Sequence, residues 1–253
     1  MRNGAVGTLY LVAGPIGNLE DITLRALRVL READLVAAED TRQAAKLLGH
    51  YGISKRTVSY HSHNWRRVAP ELVARLRRGE RVVLLSDAGM PGISDPGCEL
   101  VALAYEEGIP VTAVPGPSAL VTAAALSGFP LEGVCFWGFP PRRPGRRRRF
   151  LEALLAEGRP FVFYESPHRI VETLGQLAEL EPGRQVAVER ELTKVFEEVV
   201  RGEAAQVAQR VAARGARGEY TVVVAGVAGT RLPGRRAGHS RSMPGACENL
   251  SGD

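Results

Sequence analysis

Two carboxylates, Asp87 and Asp95, stand in the stretch Leu84–Gly97 (L-L-S-D-A-G-M-P-G-I-S-D-P-G) among three glycines. Carboxylates so placed can hold or accept a proton, and glycine lets the backbone come close to a ligand. A second cluster is Tyr164-Glu-Ser-Pro-His-Arg169. Its Glu165, His168 and Arg169 suit proton transfer or phosphate contact, and Ser166 lacks the G-x-S-x-G elbow of a hydrolase nucleophile. A third is Glu39-Asp40-Thr-Arg42, read either as a polar site or as a helix start in which Thr41 caps and the acids complement the dipole. Two strand-to-helix turns, Ala13-Gly-Pro-Ile-Gly-Asn18 and Pro115-Gly-Pro-Ser-Ala119, complete the set. The first matches neither the dinucleotide nor the ATP fingerprint, and Pro15 removes a donor from any anion cradle. In the second, Ser118 can cap a helix, face a ligand, or do both. His61 and His63 suggest a polar surface patch more than a metal site, and no metal is expected.

Alternating short elements position these residues. Apolar runs at Thr8–Ala13, Leu35–Ala38, Thr57–His61, Arg81–Leu85 and Val111–Val114 predict strands in the first half. Helices are predicted between them, over Asp21–Glu32, through Leu48, over Pro70–Arg78 and over Glu99–Glu107. A helix running from Ser118 through Leu126 leads into the second half. There strands are predicted at Val134–Gly138, Phe161–Tyr164, Gln185–Glu189, Val195–Arg201 and Tyr220–Ala225, with helices over Phe150–Ala156, Ile170–Leu180 and Ala204–Ala213. Strict alternation predicts a parallel-rich α/β domain over 1–115. Back-to-back strands predict a mixed sheet over 116–227, with a ligand cleft at the junction. Residues 228–253 have no apolar periodicity and are expected to be a disordered tail.

The chain has 253 residues and a formal net charge of +5, with 45% hydrophobic residues. No apolar stretch is long enough for a membrane span, and the amino terminus does not read as a signal peptide. Three widely spaced cysteines fit no zinc pattern, which favours a cytoplasmic protein. The excess charge is arginine, concentrated in Arg142, Arg143, Arg146, Arg147, Arg148 and Arg149. Guanidinium groups bind phosphate as bidentate forks, so this run, with Arg42 and Arg169, is the predicted nucleic-acid contact. The alternative is a solvated surface loop.

Taken together, L-V-A-G-P-I-G-N-L-E-D-I-T-L-R-A-L, A-A-E-D-T-R, L-S-D-A-G-M-P-G-I-S-D-P-G, V-P-G-P-S-A, G-F-P-P-R, F-Y-E-S-P-H-R and G-E-Y-T-V-V-V resemble the ribosomal RNA small-subunit ribose methyltransferases of the tetrapyrrole-methylase superfamily. The resemblance spans roughly residues 7–227. It implies a two-domain α/β fold with the cofactor cleft between the domains, S-adenosylmethionine as cofactor, and a homodimer. It also implies methylation of a cytidine 2′-hydroxyl in the decoding region of 16S rRNA. The cofactor positions it implies are Gly14, Pro15, Asp87, Ala88, Ile93, Ser118, Ala119, Tyr164, Tyr220 and Thr221. It transfers no catalytic residue. Relatives often carry further helical sequence after the G-E-Y-T-V-V-V strand, which residues 228–253 do not resemble.

A ribose hydroxyl holds its proton, so a base is expected to assist methyl transfer. Glu165 is the favoured base, with His168 and Asp87 as further candidates and Glu39 and Asp40 as weaker ones. Two rivals remain open: a small-molecule corrin or porphyrin methylase, and a non-catalytic RNA-binding protein.

Overall fold

The computed structural model describes residues 6–227, and the expected tail over 228–253 lies outside them. The first half contains β1 (Leu9–Val12), α1 (Leu24–Glu32), β2 (Leu35–Ala38), α2 (Thr41–His50), β3 (Thr57–Ser59), α3 (Trp65–Arg77), β4 (Val82–Leu85), α4 (Cys98–Glu106) and β5 (Val111–Val114). Its five strands run in the order β3-β2-β4-β1-β5, and every pairing is parallel. β2 and β4 read as unbroken apolar runs because both faces of this sheet are covered. Val36, Val83 and Leu85 pack against Leu30, Leu47 and Leu48 of α1 and α2. Leu35, Val82 and Leu84 pack against Leu72, Leu76 and Leu100 of α3 and α4. The chain leaves β1 toward β2 and leaves β4 toward β5, crossing between two adjacent strands. Such a reversal opens a crevice at the carboxyl ends of the strands, and ligands favour it.

The second half contains α5 (Ala119–Ser127), β6 (Cys135–Phe136), α6 (Pro144–Ala156), β7 (Phe161–Glu165), α7 (Ile170–Leu180), β8 (Gln185–Arg190), β9 (Glu198–Glu203), α8 (Ala204–Arg214) and β10 (Tyr220–Val224). The sheet order is β6-β7-β10-β8-β9, with β6–β7 parallel and the other pairs antiparallel. Phe161, Phe163, Val188 and Val222 meet Leu151, Leu174, Leu177 and Val207 of the helices on one face. On the other face Val162, Ala187 and Val223 meet Ala123 of α5, and Ile16 from the first half joins that cluster.

Four boundaries differ from expectation, each for a local reason. α1 starts after Asp21, because Thr23 accepts from the Ala26 N–H and caps it. α3 begins before Pro70, since the apolar stripe Val68, Ala69, Leu72, Val73, Leu76 continues through it. Burying that stripe outweighs one missing backbone hydrogen bond. α6 begins at Pro144, so Arg146–Arg149 are helical and not part of a loop. Proline suits the first helical position and arginine is a good helix former. β9 begins only at Glu198; the residues before it turn, with Glu191 and Thr193 at positive φ.

Candidate functional site

The loops leaving β1 and β4 are stitched together by two backbone hydrogen bonds, Gly14 N–H to Gly89 O at 2.9 Å and Gly89 N–H to Gly14 O at 3.2 Å. Gly89 has φ +73°, a conformation that glycine adopts without strain. Beside this bridge lies a cleft of about 490 Å³, a size typical of small-molecule sites. Gly14, Pro15, Asp87 and Ala88 line it, with Gln43 and Lys46 of α2 and, from the second half, Lys194 and Glu219. The two halves meet closely here: a Cβ on Gly17 would lie 2.8 Å from the Leu192 carbonyl oxygen. The Asn18 N–H donates to Thr193 Oγ1 at 3.0 Å across the same seam.

Three carboxylates influence one another at the strand ends. Asp87 Oδ1 accepts from the Asp40 N–H at 2.9 Å. Burial and the Asp87 charge push the Glu39 carboxyl up from its ordinary value. Burial, then the Glu39 charge, pushes Asp95 up to about 6, although a hydrogen bond with Ser86 opposes the rise. A carboxylate with that affinity is poised near neutral pH, where a proton acceptor works best. Asp40 behaves in the opposite way. It caps α2 through the Arg42 N–H, is clasped by the Arg42 guanidinium, and is held down at about 2. The cap is therefore Asp40 and not Thr41, and Arg42 is already engaged with it.

Ile93, Ser118, Ala119 and Tyr164 lie outside the cleft lining. They belong to the region where the Asp87–Gly97 loop meets the start of α5 and the end of β7. Ser118 caps α5, accepting from the Val121 N–H at 3.4 Å. The Tyr164 phenol is raised by burial, interacts with the Leu120 backbone and feels the Asp95 charge.

The second cluster, which holds the expected base, is closed on itself. Glu165 is buried, and its Oε1 lies 2.6 Å from Arg169 Nη2 and accepts from the Ser166 N–H at 2.8 Å. Its Oε2 accepts from Thr173 Oγ1 at 2.8 Å. With both oxygens engaged, Glu165 holds the β7–α7 turn. Arg169 is spent on the same turn, donating also to the Pro140 carbonyl at 3.0 Å, so it is not a free phosphate contact. His168 is exposed in that turn.

The expected Tyr220–Thr221 pair is split by strand alternation. Tyr220 points into the core under α7 and α8, and its hydroxyl accepts from the Arg217 N–H. It therefore cannot face the junction. Thr221 is on the opposite face, buried at 4% exposure. The arginine run is divided in the same way. Arg147 is completely buried, 2.6 Å from Glu172, with its Nε donating to Gln176. Arg148 pairs with Glu152 and Glu179. Arg142, Arg143 and Arg146 are exposed, and their side chains form no ion pair or hydrogen bond among the described residues. Arg149 is exposed and donates to the Gly145 carbonyl.

Sequence reasoning gave no notice of Gln43, Lys46 or Lys194, which no motif marks, and gave Glu219 no role although G-E-Y-T-V-V-V contains it. It also missed Glu189, which is fully buried beside Thr221 with neither carboxylate oxygen hydrogen-bonded to another side chain; burial pushes its pKa up to about 8.

Residues 8–208 match the tetrapyrrole (corrin/porphyrin) methylases. The chain is 48% identical over 220 residues to "Ribosomal RNA small subunit methyltransferase I" of Halalkalibacterium halodurans, covering 87% of this chain and 76% of that protein. It is 46% identical over 221 residues to the protein of the same name from Thermotoga maritima, covering 87% of this chain and 99% of that one. Among solved structures, the methyltransferase CobJ superposes with a TM-score of 0.65 at 20% identity, covering 90% of this chain and 97% of that chain. Thermus thermophilus uroporphyrin-III C-methyltransferase, complexed with S-adenosyl homocysteine, superposes with a TM-score of 0.59 at 22% identity, covering 87% and 97%. These two structural likenesses establish the fold.

Proposed function

The chain belongs to the tetrapyrrole (corrin/porphyrin) methylase family, and from that premise we propose that it is an S-adenosylmethionine-dependent methyltransferase of small-subunit ribosomal RNA. Its product on this reading is a cytidine methylated on the ribose 2′-oxygen, in the decoding region of 16S rRNA. The substrate class is supported by the names of the two bacterial relatives and by the exposed arginines Arg142, Arg143, Arg146 and Arg149. We take the enzyme to act in the cytoplasm; no helix among the described residues is long and apolar enough to cross a membrane. We also take it to be a homodimer, a reading supported by Val121 (64%) and Leu126 (43%) exposed on the apolar helix α5.

One observation carries the reaction class: the Gly/Pro-rich loops of the first half line a concave site with Asp87, whose charge acts on Glu39 and Asp95 beyond the lining, while Lys46, Lys194 and Glu219 stand elsewhere in it. The carboxylates grouped around Asp87 suit a cationic sulfonium. The cofactor brings an activated methyl group. Gly14, Pro15, Ala88, Ser118 and Ala119 offer backbone and small side chains to its adenosyl and amino-acid parts, with Ile93, Tyr164 and Thr221 at the far side and Asp87 for its positive charge. Asp95 takes the proton of the ribose hydroxyl, and orientation of that hydroxyl contributes the larger share of the barrier reduction.

The test is transfer of a labelled methyl group from S-adenosylmethionine to small subunits from a strain lacking this activity. Label is expected on one ribose of 16S rRNA. Label on a tetrapyrrole, or on a base, overturns the reading.

A further inference from the structure

The second sheet presents an edge that the methyl-transfer site does not use. β6 is its outermost strand, and the chain continues past it as Trp137, Gly138 and Phe139. Trp137 is 45% exposed and Phe139 56%, an unusual cost for large aromatic side chains on a charged protein surface. Each ring is nonetheless held from below. Trp137 meets Phe150 edge-on at 5.8 Å, and Phe139 meets Tyr164 edge-on at 5.7 Å. The backbone between them is fixed by the Trp137 N–H to Val162 O and by the Tyr164 N–H to Gly138 O. Rings packed along an edge and bare on the outside act as rigid platforms.

The charge that follows them along the chain is positive. Arg142 and Arg143 follow Phe139 after two prolines, and Arg146 lies one helical turn before Phe150, on the same side of α6. Within the arginine run, these three guanidinium groups form no ion pair or hydrogen bond among the described residues, whereas Arg147 and Arg148 are consumed within the fold. The track also leads somewhere: a Cβ on Gly138 would lie 2.9 Å from Ser94 Oγ, and Tyr164 feels the charge of Asp95. Aromatic platforms beside unpaired arginines are the composition that grips single-stranded nucleic acid, where bases stack and phosphates are neutralised.

We propose that the sheet edge from Trp137 to Phe139, with Arg142, Arg143 and Arg146, is a single-stranded RNA track that stacks two bases flanking the target nucleotide. The proposal rests on the RNA substrate inferred above and extends it to a named surface. Phe139 takes the base nearer the cleft and Trp137 the base farther away.

The test uses the full chain with Trp65→Phe, which leaves Trp137 as the sole tryptophan, titrated with a short single-stranded oligoribonucleotide. Stacking is expected to quench Trp137 fluorescence with the same midpoint as binding measured by anisotropy. F139A and W137A should each weaken RNA binding about tenfold, while W137Y, which keeps a ring, should recover most of the loss. Replacing Arg142, Arg143 and Arg146 by serine should lower the slope of log affinity against log salt by about two. Calorimetric affinity for S-adenosylmethionine should not change in any of them. Binding without quenching, or an unchanged RNA affinity in both F139A and W137A, overturns the proposal. A shift in sedimentation coefficient on F139A with RNA affinity unchanged assigns the edge to a protein contact and also overturns it. Normal quenching with no methyl transfer to small subunits leaves the track standing and removes the reaction assigned above.

Discussion

The two halves of this molecule contain the same polar residue types and treat them in opposite ways. In the second half, Glu165 is closed by Arg169, Ser166 and Thr173, and Arg147 by Glu172 and Gln176. In the first half, Asp87, Glu39 and Asp95 crowd one another, and burial leaves two of them holding their protons more tightly than free carboxylates do. The difference teaches that the availability of a partner, more than residue type, separates a structural polar cluster from a chemical one. A satisfied buried carboxylate fixes a turn. A carboxylate short of partners stays ready for a ligand.

The largest expected effect sharpens this contrast. D95N should lower the turnover number by about 10²–10⁴-fold with little change in cofactor affinity, the usual worth of a positioned base. Steady-state methyl transfer and calorimetry on the same preparation check it, and an unaltered turnover number would break the contrast. E165Q should instead cost stability, on the order of 3 kcal/mol, because it leaves the largely buried Arg169 without its charged partner, and R147A should cost stability because it empties a completely buried side-chain position. Urea unfolding reads that loss, while activity per folded molecule stays near the wild-type value.

Glu189 is the exception in the second half, since it lies buried without a side-chain partner. Its folded pKa of about 8 lies above the unfolded carboxyl value, so the folded state retains a proton that the unfolded chain releases. The stability linked to that proton is complete in acid and falls as pH rises from about 4.5 through about 8. E189Q should remove this component and gain stability at pH 8, on the order of a few kcal/mol. Equal pH dependence of melting in variant and wild type would contradict it. The smallest effect is R146A, which should leave stability within about 0.5 kcal/mol of wild type and reduce the salt slope of RNA affinity by just under one.

Much of this arrangement was legible in the sequence, and what was not has identifiable causes. Apolar runs such as Val82–Leu85 announce buried parallel strands because both faces are covered. The glycine- and proline-rich ends of β1 and β4 announce the crevice because few other residues suit such turns. The fate of the arginine run depended on whether α6 started at Pro144, and the proline itself was the available signal. Tyr220 and Thr221 could not both face the junction, since adjacent strand residues point to opposite faces. The closure of Glu165 was partly visible as its spacing from Arg169, whereas Thr173 comes from a later helix. The elevated pKa of Asp95 arises from burial and from Glu39 just past the end of β2, a relation that exists only once the chain has folded.

The most direct test of the contrast is the single-turnover rate of methyl transfer to small subunits, followed from pH 5 to pH 8. The rate should rise with a midpoint near 6, as Asp95 releases its proton, and E165Q should keep that midpoint whereas D95N should lose it. A midpoint that survives in D95N and vanishes in E165Q would return the chemistry to the second half and contradict the account.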